Sequence, residues 1–335
     1  MRAHPASEES ADPILVVALG GNAISRPGDS PSVEAQFART RATIELLMPV
    51  VAAGSHRLVI THGNGPQVGN ILLRSDLAAE AGELPRLPIP SAVADTQGAM
   101  GYMIQQSLAN ALWESGIQIP VATVVTQVLV DEADPAFDDP TKPVGRFYEA
   151  SDVEKLKEHG WAMKEDSNGR GWRRVVPSPD PREIVEEPVI RELVHQGVIV
   201  IACGGGGVPV IADEAGSLEG IDAVIDKDLA SALLAADLGA ETFAILTEVD
   251  RVCLDYGQPN EQPLDGVNVD TLRRFAADGH FPAGSMGPKV ESVIRYLDGG
   301  GGRAIITSPE RLEDALAGKA GTHVLTDVEA QVSSS

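Results

Sequence analysis

From Ile14 to Thr307 the chain keeps one rhythm, interrupted once, in which short apolar runs rich in β-branched residues alternate with longer amphipathic stretches. Near-continuous apolar runs of strand length belong to strands buried on both faces, and helices between them do the covering. The rhythm therefore predicts an α/β protein, a layered sandwich of helices around a mainly parallel sheet. Strands are predicted at Ile14–Leu19, Arg57–Thr61, Val121–Val130, Val198–Cys203, Thr242–Thr247 and Arg303–Thr307. Helices are predicted at Val33–Ala53, Gln67–Ala81, Gln97–Glu114, Pro188–Gln196, Asp228–Leu238, Val269–Asp278, Pro288–Leu297 and Pro309–Leu316. In such sheets ligands bind at the carboxyl ends of the strands.

The stretch from Asp131 to Pro179 breaks the rhythm. It is charged and turn-rich, with one short helical piece, and reads as an inserted subdomain (131–179) projecting from the sheet. Residues 1–12 carry acids and no apolar stretch, so they read as a disordered tail and not a signal peptide.

Composition excludes several functions. Of 335 residues 43% are apolar, enough for a large core, and 26 basic against 49 acidic residues leave a formal charge of −23. Nucleic acid or an anionic membrane would need clustered positive charge, so neither is an expected partner. Two cysteines, Cys203 and Cys253, rule out a disulfide framework or a four-thiolate zinc site and fit a cytoplasmic protein.

Four strands are read as ending in glycine-rich turns: Ile14–Leu19 in Gly20-Gly21-Asn22, Arg57–Thr61 in Gly63-Asn64-Gly65, Val198–Cys203 in Gly204 through Gly207, and Tyr296–Asp298 before Gly299 through Gly302. Glycine lets backbone N–H groups approach a ligand, and a glycine turn opening a helix makes an anion site. No P-loop occurs, the spacing after Gly63 misses the dinucleotide fingerprint, and the protein-kinase signatures are absent. Lysine is the scarce cation, with seven against nineteen arginines, so its positions carry weight. Lys227, between Asp226 and Asp228, and Lys289, after Gly284-Ser285-Met286-Gly287-Pro288, each open a predicted helix, where a cation opposes the helix dipole. A bound polyanion would resolve that conflict. Lys142, between Pro140 and Pro143, stands apart in an acidic stretch, and His62 abuts the second glycine turn in what reads as a structural role.

These residues sit in a series of motifs. LGGNA (19–23), THGNGPQVG (61–69), QGAMGYMIQQ (97–106), DPAFDDPTKPVG (134–145), RRVVPSPDP (173–181), ACGGGGVPVI (202–211), IDAVIDKDLASALLA (221–235) and GSMGPKV (284–290) occur in order along nearly the whole chain. Together they resemble the carbamate kinases of the amino acid kinase family. The resemblance implies an αβα sandwich around a roughly eight-stranded, mainly parallel sheet, a homodimer, and a protruding subdomain. One domain would span 13–330, with 13–220 mainly on the carbamate side and 221–330 mainly on the nucleotide side. It implies reversible phosphoryl transfer from ATP to carbamate, giving ADP and carbamoyl phosphate, run toward ATP in arginine deimination.

Carried over by residue, the resemblance puts Gly20, Gly21, Asn22, Gly63, Asn64 and Gly65 around the carbamate and the phosphoryl group in transit. Lys227 and Lys289 would hold phosphoryl oxygens, Asp228 would orient both lysines, and Lys142 would reach in from the subdomain. Asp226, Thr247, Glu248, Val249, Asp250, Tyr256, Met286 and Gly287 would lie on the nucleotide side. Mg²⁺ would come with ATP or ADP, held by phosphate and water without a dedicated protein cage. Departures from the family pattern are Asp95 before Thr96, Arg146 and Arg251. The alternatives are an N-acetylglutamate kinase-like member, which would carry a lysine where Val17-Ala18-Leu19 stand, and a non-catalytic nucleotide-binding regulator. The surplus of acids raises the expectation of a surface adapted to salt.

Overall fold

The computed structural model describes residues 12–24, 30, 32–158, 160–166, 169–282 and 284–326. Apart from Asp12, the tail expected at 1–12 lies outside the described residues, as do 327–330 at the far end of the expected domain.

Eight strands make the central sheet: β1 (Ile14–Leu19), β2 (Arg57–His62), β3 (Val121–Thr123), β4 (Ile199–Ala202), β5 (Thr242–Leu246), β6 (Gly266–Asn268), β7 (Arg303–Thr307) and β8 (Thr322–Leu325). Their order is β6-β8-β7-β5-β1-β2-β4-β3, and every neighbouring pair is parallel except β7 and β8. The helices are α1 (Val33–Ala53), α2 (Gln67–Glu80), α3 (Ile89–Glu114), α4 (Val153–Glu158), α5 (Glu187–His195), α6 (Lys227–Asp237), α7 (Val269–Ala277), α8 (Met286–Asp298) and α9 (Leu312–Leu316). The αβα layering read from the rhythm is the architecture found.

Strand β1 shows why the rhythm is so legible. All six of its residues are buried, and the period of two sends them to opposite cores. Ile14, Val16 and Ala18 join the core formed with α5, α6, α7 and α8. Leu15, Val17 and Leu19 join the one formed with α1, α3 and α9. Helix α6 is short-sided (Ala230, Ser231, Ala232, Ala235), so it sits close on the sheet, and its Ser231 hydroxyl meets that of Thr61 on β2 at 2.6 Å. None of the helices described is long and apolar enough to cross a membrane.

Three expectations fail at the level of elements. The predicted strand Val121–Val130 is two strands: β3 closes the large sheet, and Gln127–Val130 joins a second sheet with Pro181–Ile184, Val208–Ala212 and Leu218–Gly220. The chain changes sheets where the buried Gln97 amide clamps Thr126, accepting from its N–H at 2.7 Å and donating to its carbonyl at 3.0 Å. The stretch read as an insertion without strands holds an antiparallel sheet of Lys142–Tyr148, Ala162–Glu165 and Trp172–Val176. Its arginines hide the pattern, because they act as covers for aromatic rings: Arg170 and Arg173 lie over Phe147, and Arg174 lies over Trp161. The segment Tyr296–Asp298, before the fourth glycine cluster, is the end of helix α8 and not a strand. A smaller shift is that α3 begins at Ile89, well before the predicted Gln97, with the Ile89 N–H donating to Asp222 at 3.0 Å.

Candidate active site

Strand order creates the site. The chain leaves β1 for β2 on one side and later builds β5 and β7 on the other, so β1 and β5 flank a point where the connections diverge. Ligands bind at such switch points, beyond the carboxyl ends of the strands. The turns found there are Gly20-Gly21 after β1, Gly63-Asn64-Gly65 after β2, Thr247–Asp250 after β5 and Ser308-Pro309 after β7. A cavity of about 710 Å³ opens among the turns after β1, β5 and β7, lined by Gly20, Gly21, Lys227, Thr247, Glu248, Asp250 and Lys289 of the expected residues, while Gly63, Asn64 and Gly65 do not line it.

Two helix starts deliver the cations. Lys227 is the first residue of α6 and Lys289 lies in the first turn of α8. Both ammonium groups converge on Asp228: Lys227 pairs with Oδ1, and Lys289 donates to Oδ2 at 2.9 Å. Burial by itself would raise the Asp228 carboxyl, but the two lysines, through charge and hydrogen bonds, hold it at about 2. Asp228 therefore stays ionised and both its oxygens are occupied. Burial pulls Lys227 below the usual lysine range, helped by Lys289 and opposed by Asp228. Two positive charges against one negative leave this corner with a surplus of one. The start of a helix adds the positive end of a dipole to it.

Asp226 caps α6, its Oδ1 accepting from the Asp228 N–H at 2.9 Å. Its Oδ2 accepts from Lys142, the first residue of the inserted sheet, at 2.8 Å. The subdomain lysine and the α6 start are thus brought together, although Lys142, Asp226 and Asp228 do not themselves line the cavity.

The four glycine clusters divide into two kinds. Gly63 lies against the Lys227 side chain, and the first two turns touch, since a Cβ on Gly21 would stand 3.1 Å from the Gly65 carbonyl oxygen. These turns are the rim of the site. Gly204 through Gly207 is packed shut instead. A Cβ on Gly205 would stand 2.3 Å from the Asn64 side chain, and one on Gly206 2.3 Å from the Ile225 carbonyl oxygen. That cluster is a platform under Asn64, whose amide also donates to Thr96 at 3.4 Å. Gly299 through Gly302 precedes β7 at the other end of the sheet, against the Tyr296 ring and Glu241.

His62 is buried, and burial lowers it to about 4, with Lys227 acting in the same direction. Its Nδ1 lies 2.8 Å from the Gly63 carbonyl oxygen, so the neutral ring carries its proton on Nδ1 and donates it there. It braces the second turn, as the sequence suggested. Cys203 is buried too, which pushes its thiol up and away from nucleophilic use.

Other expected residues fall farther out. Tyr256 is exposed, Met286 and Gly287 open α8 just before Lys289, and Val249 does not line the cavity. The Asn22 backbone lies in the first turn beside Gly21. Asp95 is exposed on α3 beside the buried Thr96 and Gln97 and does not line the cavity. Arg146 pairs with Glu80 at 3.5 Å and Arg251 with Asp265 at 2.7 Å. The sequence reading missed Arg39, Thr43 and Leu46 of α1, and Ser308, Glu310 and Arg311 beyond β7. The second group had a usable signal, because β7 was predicted and its carboxyl end lies beside that of β5.

The profile of the amino acid kinase family matches residues 13–308. The carbamate kinase of Thermococcus kodakarensis is 51% identical over 314 residues, covering 93% of this chain and 99% of that protein. That of Pyrococcus furiosus is 51% identical over 312 residues, with 93% and 98% covered. The structure of carbamate kinase from Giardia lamblia bound to AMP-PNP superposes with a TM-score of 0.89 at 41% identity, covering 95% of this chain and 99% of that one. The chain belongs to the amino acid kinase family and, within it, to the carbamate kinases.

Proposed function

We propose that the chain transfers a phosphoryl group reversibly between ATP and carbamate, giving ADP and carbamoyl phosphate. The observation that carries this reading is the Lys227–Asp228–Lys289 arrangement at the switch point, beside two glycine turns. Carbamate already presents an anionic oxygen, so no general base is required. What the reaction requires is positioning and neutralisation of two anions that repel each other. Lys227 and Lys289 hold oxygens of the group in transfer, with Asp228 fixing where they point. Gly20, Gly21, Asn22, Gly63, Asn64 and Gly65 supply backbone donors around the carbamate end, and Lys142 reaches the carbamoyl phosphate. Thr247, Glu248, Val249, Asp250, Tyr256, Met286 and Gly287 face the nucleotide. On this division 13–220 serves carbamate and 221–330 serves the nucleotide.

Among the described residues no group of three His, Cys, Asp or Glu side chains could hold a metal ion. Magnesium would come with the phosphates, which supply most of its ligands so that only one or two protein oxygens are needed. Glu248, Asp250 and Glu310, on the cavity wall, are the carboxylates at hand. When bound, the ion neutralises phosphate charge.

The reading includes a cytoplasmic homodimer working toward ATP in arginine deimination. The run from Thr96 to Trp113 on α3 has no charged residue, and it exposes Tyr102 and Trp113. A stretch without charge adds no electrostatic repulsion of its own between two copies of so acidic a chain, which supports a contact there.

The test is ATP formation from ADP and carbamoyl phosphate, read by a coupled assay, with acetylglutamate plus ATP as the control. ATP from carbamoyl phosphate without turnover of acetylglutamate is the expected result. If carbamoyl phosphate yields no ATP, the reading is lost.

A further inference from the structure

The pair formed by Lys142 and Asp226 joins two remote parts of the chain, the edge of the inserted sheet and the cap of α6. Asp226 cannot follow a departing partner, because Oδ1 is committed to the Asp228 N–H and holds the carboxylate at the helix start. Lys142 can leave. Its side chain is 37% exposed, against 15% for Lys227 and 16% for Lys289, so of the three lysines it is the one least enclosed. The three lysines and two aspartates together carry a surplus of a single positive charge. A phosphorylated substrate brings a larger negative charge than that, and of the three lysines the one resting on Asp226 is the most open to answer it.

We propose that Asp226 is the resting counter-ion of Lys142, a positioning residue whose partner is drawn off by the incoming phosphorylated substrate. This rests on the function proposed above. In the free protein the pair keeps the inserted sheet against the α6 start. On binding, Lys142 exchanges the carboxylate for a phosphate oxygen, and Asp226 remains as the cap. Breaking the resting pair lowers the apparent affinity by the fraction of molecules in which it is open. That cost is the same for bound substrate and for the transition state, so it falls on KM and not on kcat.

Asp226→Asn separates the two duties, since asparagine caps a helix about as well as aspartate while carrying no charge. The expected result is a KM for carbamoyl phosphate at least about threefold lower, the value for a pair closed in roughly two-thirds of free molecules. The kcat should stay within about twofold. A residue that only caps α6 would leave KM where it was. An unchanged or raised KM overturns the proposal, and so does a kcat that falls well beyond that range, which would place Asp226 in the reaction itself.

A second arm needs no turnover. Backbone hydrogen exchange over Lys142–Tyr148 is measured in the ligand-free protein. Asp226→Asn and Lys142→Met should each speed it, and the double variant should speed it no further. Unchanged exchange in the single variants, or additive effects in the double, overturns the resting pair. Wild-type protein that makes no ATP from carbamoyl phosphate would refute the proposed function instead, with the exchange result still deciding whether the pair holds the sheet.

Discussion

Asp228 is the residue on which the site turns, since one carboxylate orders two ammonium groups from two different helices. Removing either lysine takes away one electrostatic stabiliser of the transferring group. Lys227→Ala and Lys289→Ala should each lower kcat by at least about 10²-fold. Near-normal turnover in both would remove the assignment. His62 sets a pH dependence of stability. Its folded value of about 4 lies below the unfolded value near 6.5, so between these the unfolded chain binds the extra proton. Its contribution is complete above that window and is lost as pH falls through it, by up to about 1.4 kcal/mol per pH unit. Urea unfolding of wild type and His62→Gln at pH 7 and pH 5 should show a steeper loss in the wild type. Equal losses would contradict the buried neutral ring.

The glycine turns look alike in sequence and do different work as elements. Gly206 has φ of +93° and its missing Cβ faces the Ile225 carbonyl oxygen, so Gly206→Ala should destabilise the fold by at least about 2 kcal/mol. Gly65 has open space around its missing Cβ, so Gly65→Ala should leave stability within about 0.5 kcal/mol. If its N–H serves the ligand, the same change should raise the KM for carbamoyl phosphate at least about threefold, the scale of one weakened hydrogen bond. Denaturant midpoints and steady-state kinetics on the two variants test the division. A stable Gly206→Ala protein would show that the third cluster is not the platform described.

At the scale of the molecule, the charge of −23 surrounds a site that binds anions. The arrangement works because the positive surplus is local, built from a few lysines and helix starts, while the acids are spread over the surface. Such a surface repels itself, and salt screens the repulsion, over about 10 Å at 0.1 M and about 3 Å at 1 M. Melting temperature and turnover should therefore both rise as potassium chloride is raised from low concentration. Values highest at the lowest salt would refute adaptation to salt.

Much of this was legible before any tertiary contact was known. Strand β1 and helix α1 fall where their patterns put them, because a residue buried on a sheet or helix face must be apolar at a fixed period. The helix-opening lysines stood out because a cation there is locally unfavourable. What the sequence did not reveal depended on groups distant in the chain. The break at Thr126 comes from Gln97 on another helix, and the inserted strands are disguised by arginines that cover rings. Whether a glycine turn is open to a ligand or packed shut depends on what lies above it. The meeting of Lys142 with Asp226 depends on how the inserted sheet lies on α6. Periodicity is a property of neighbours along the chain, and it determined the layers. Convergence of charge is a property of neighbours in space, and only the folded structure decided it.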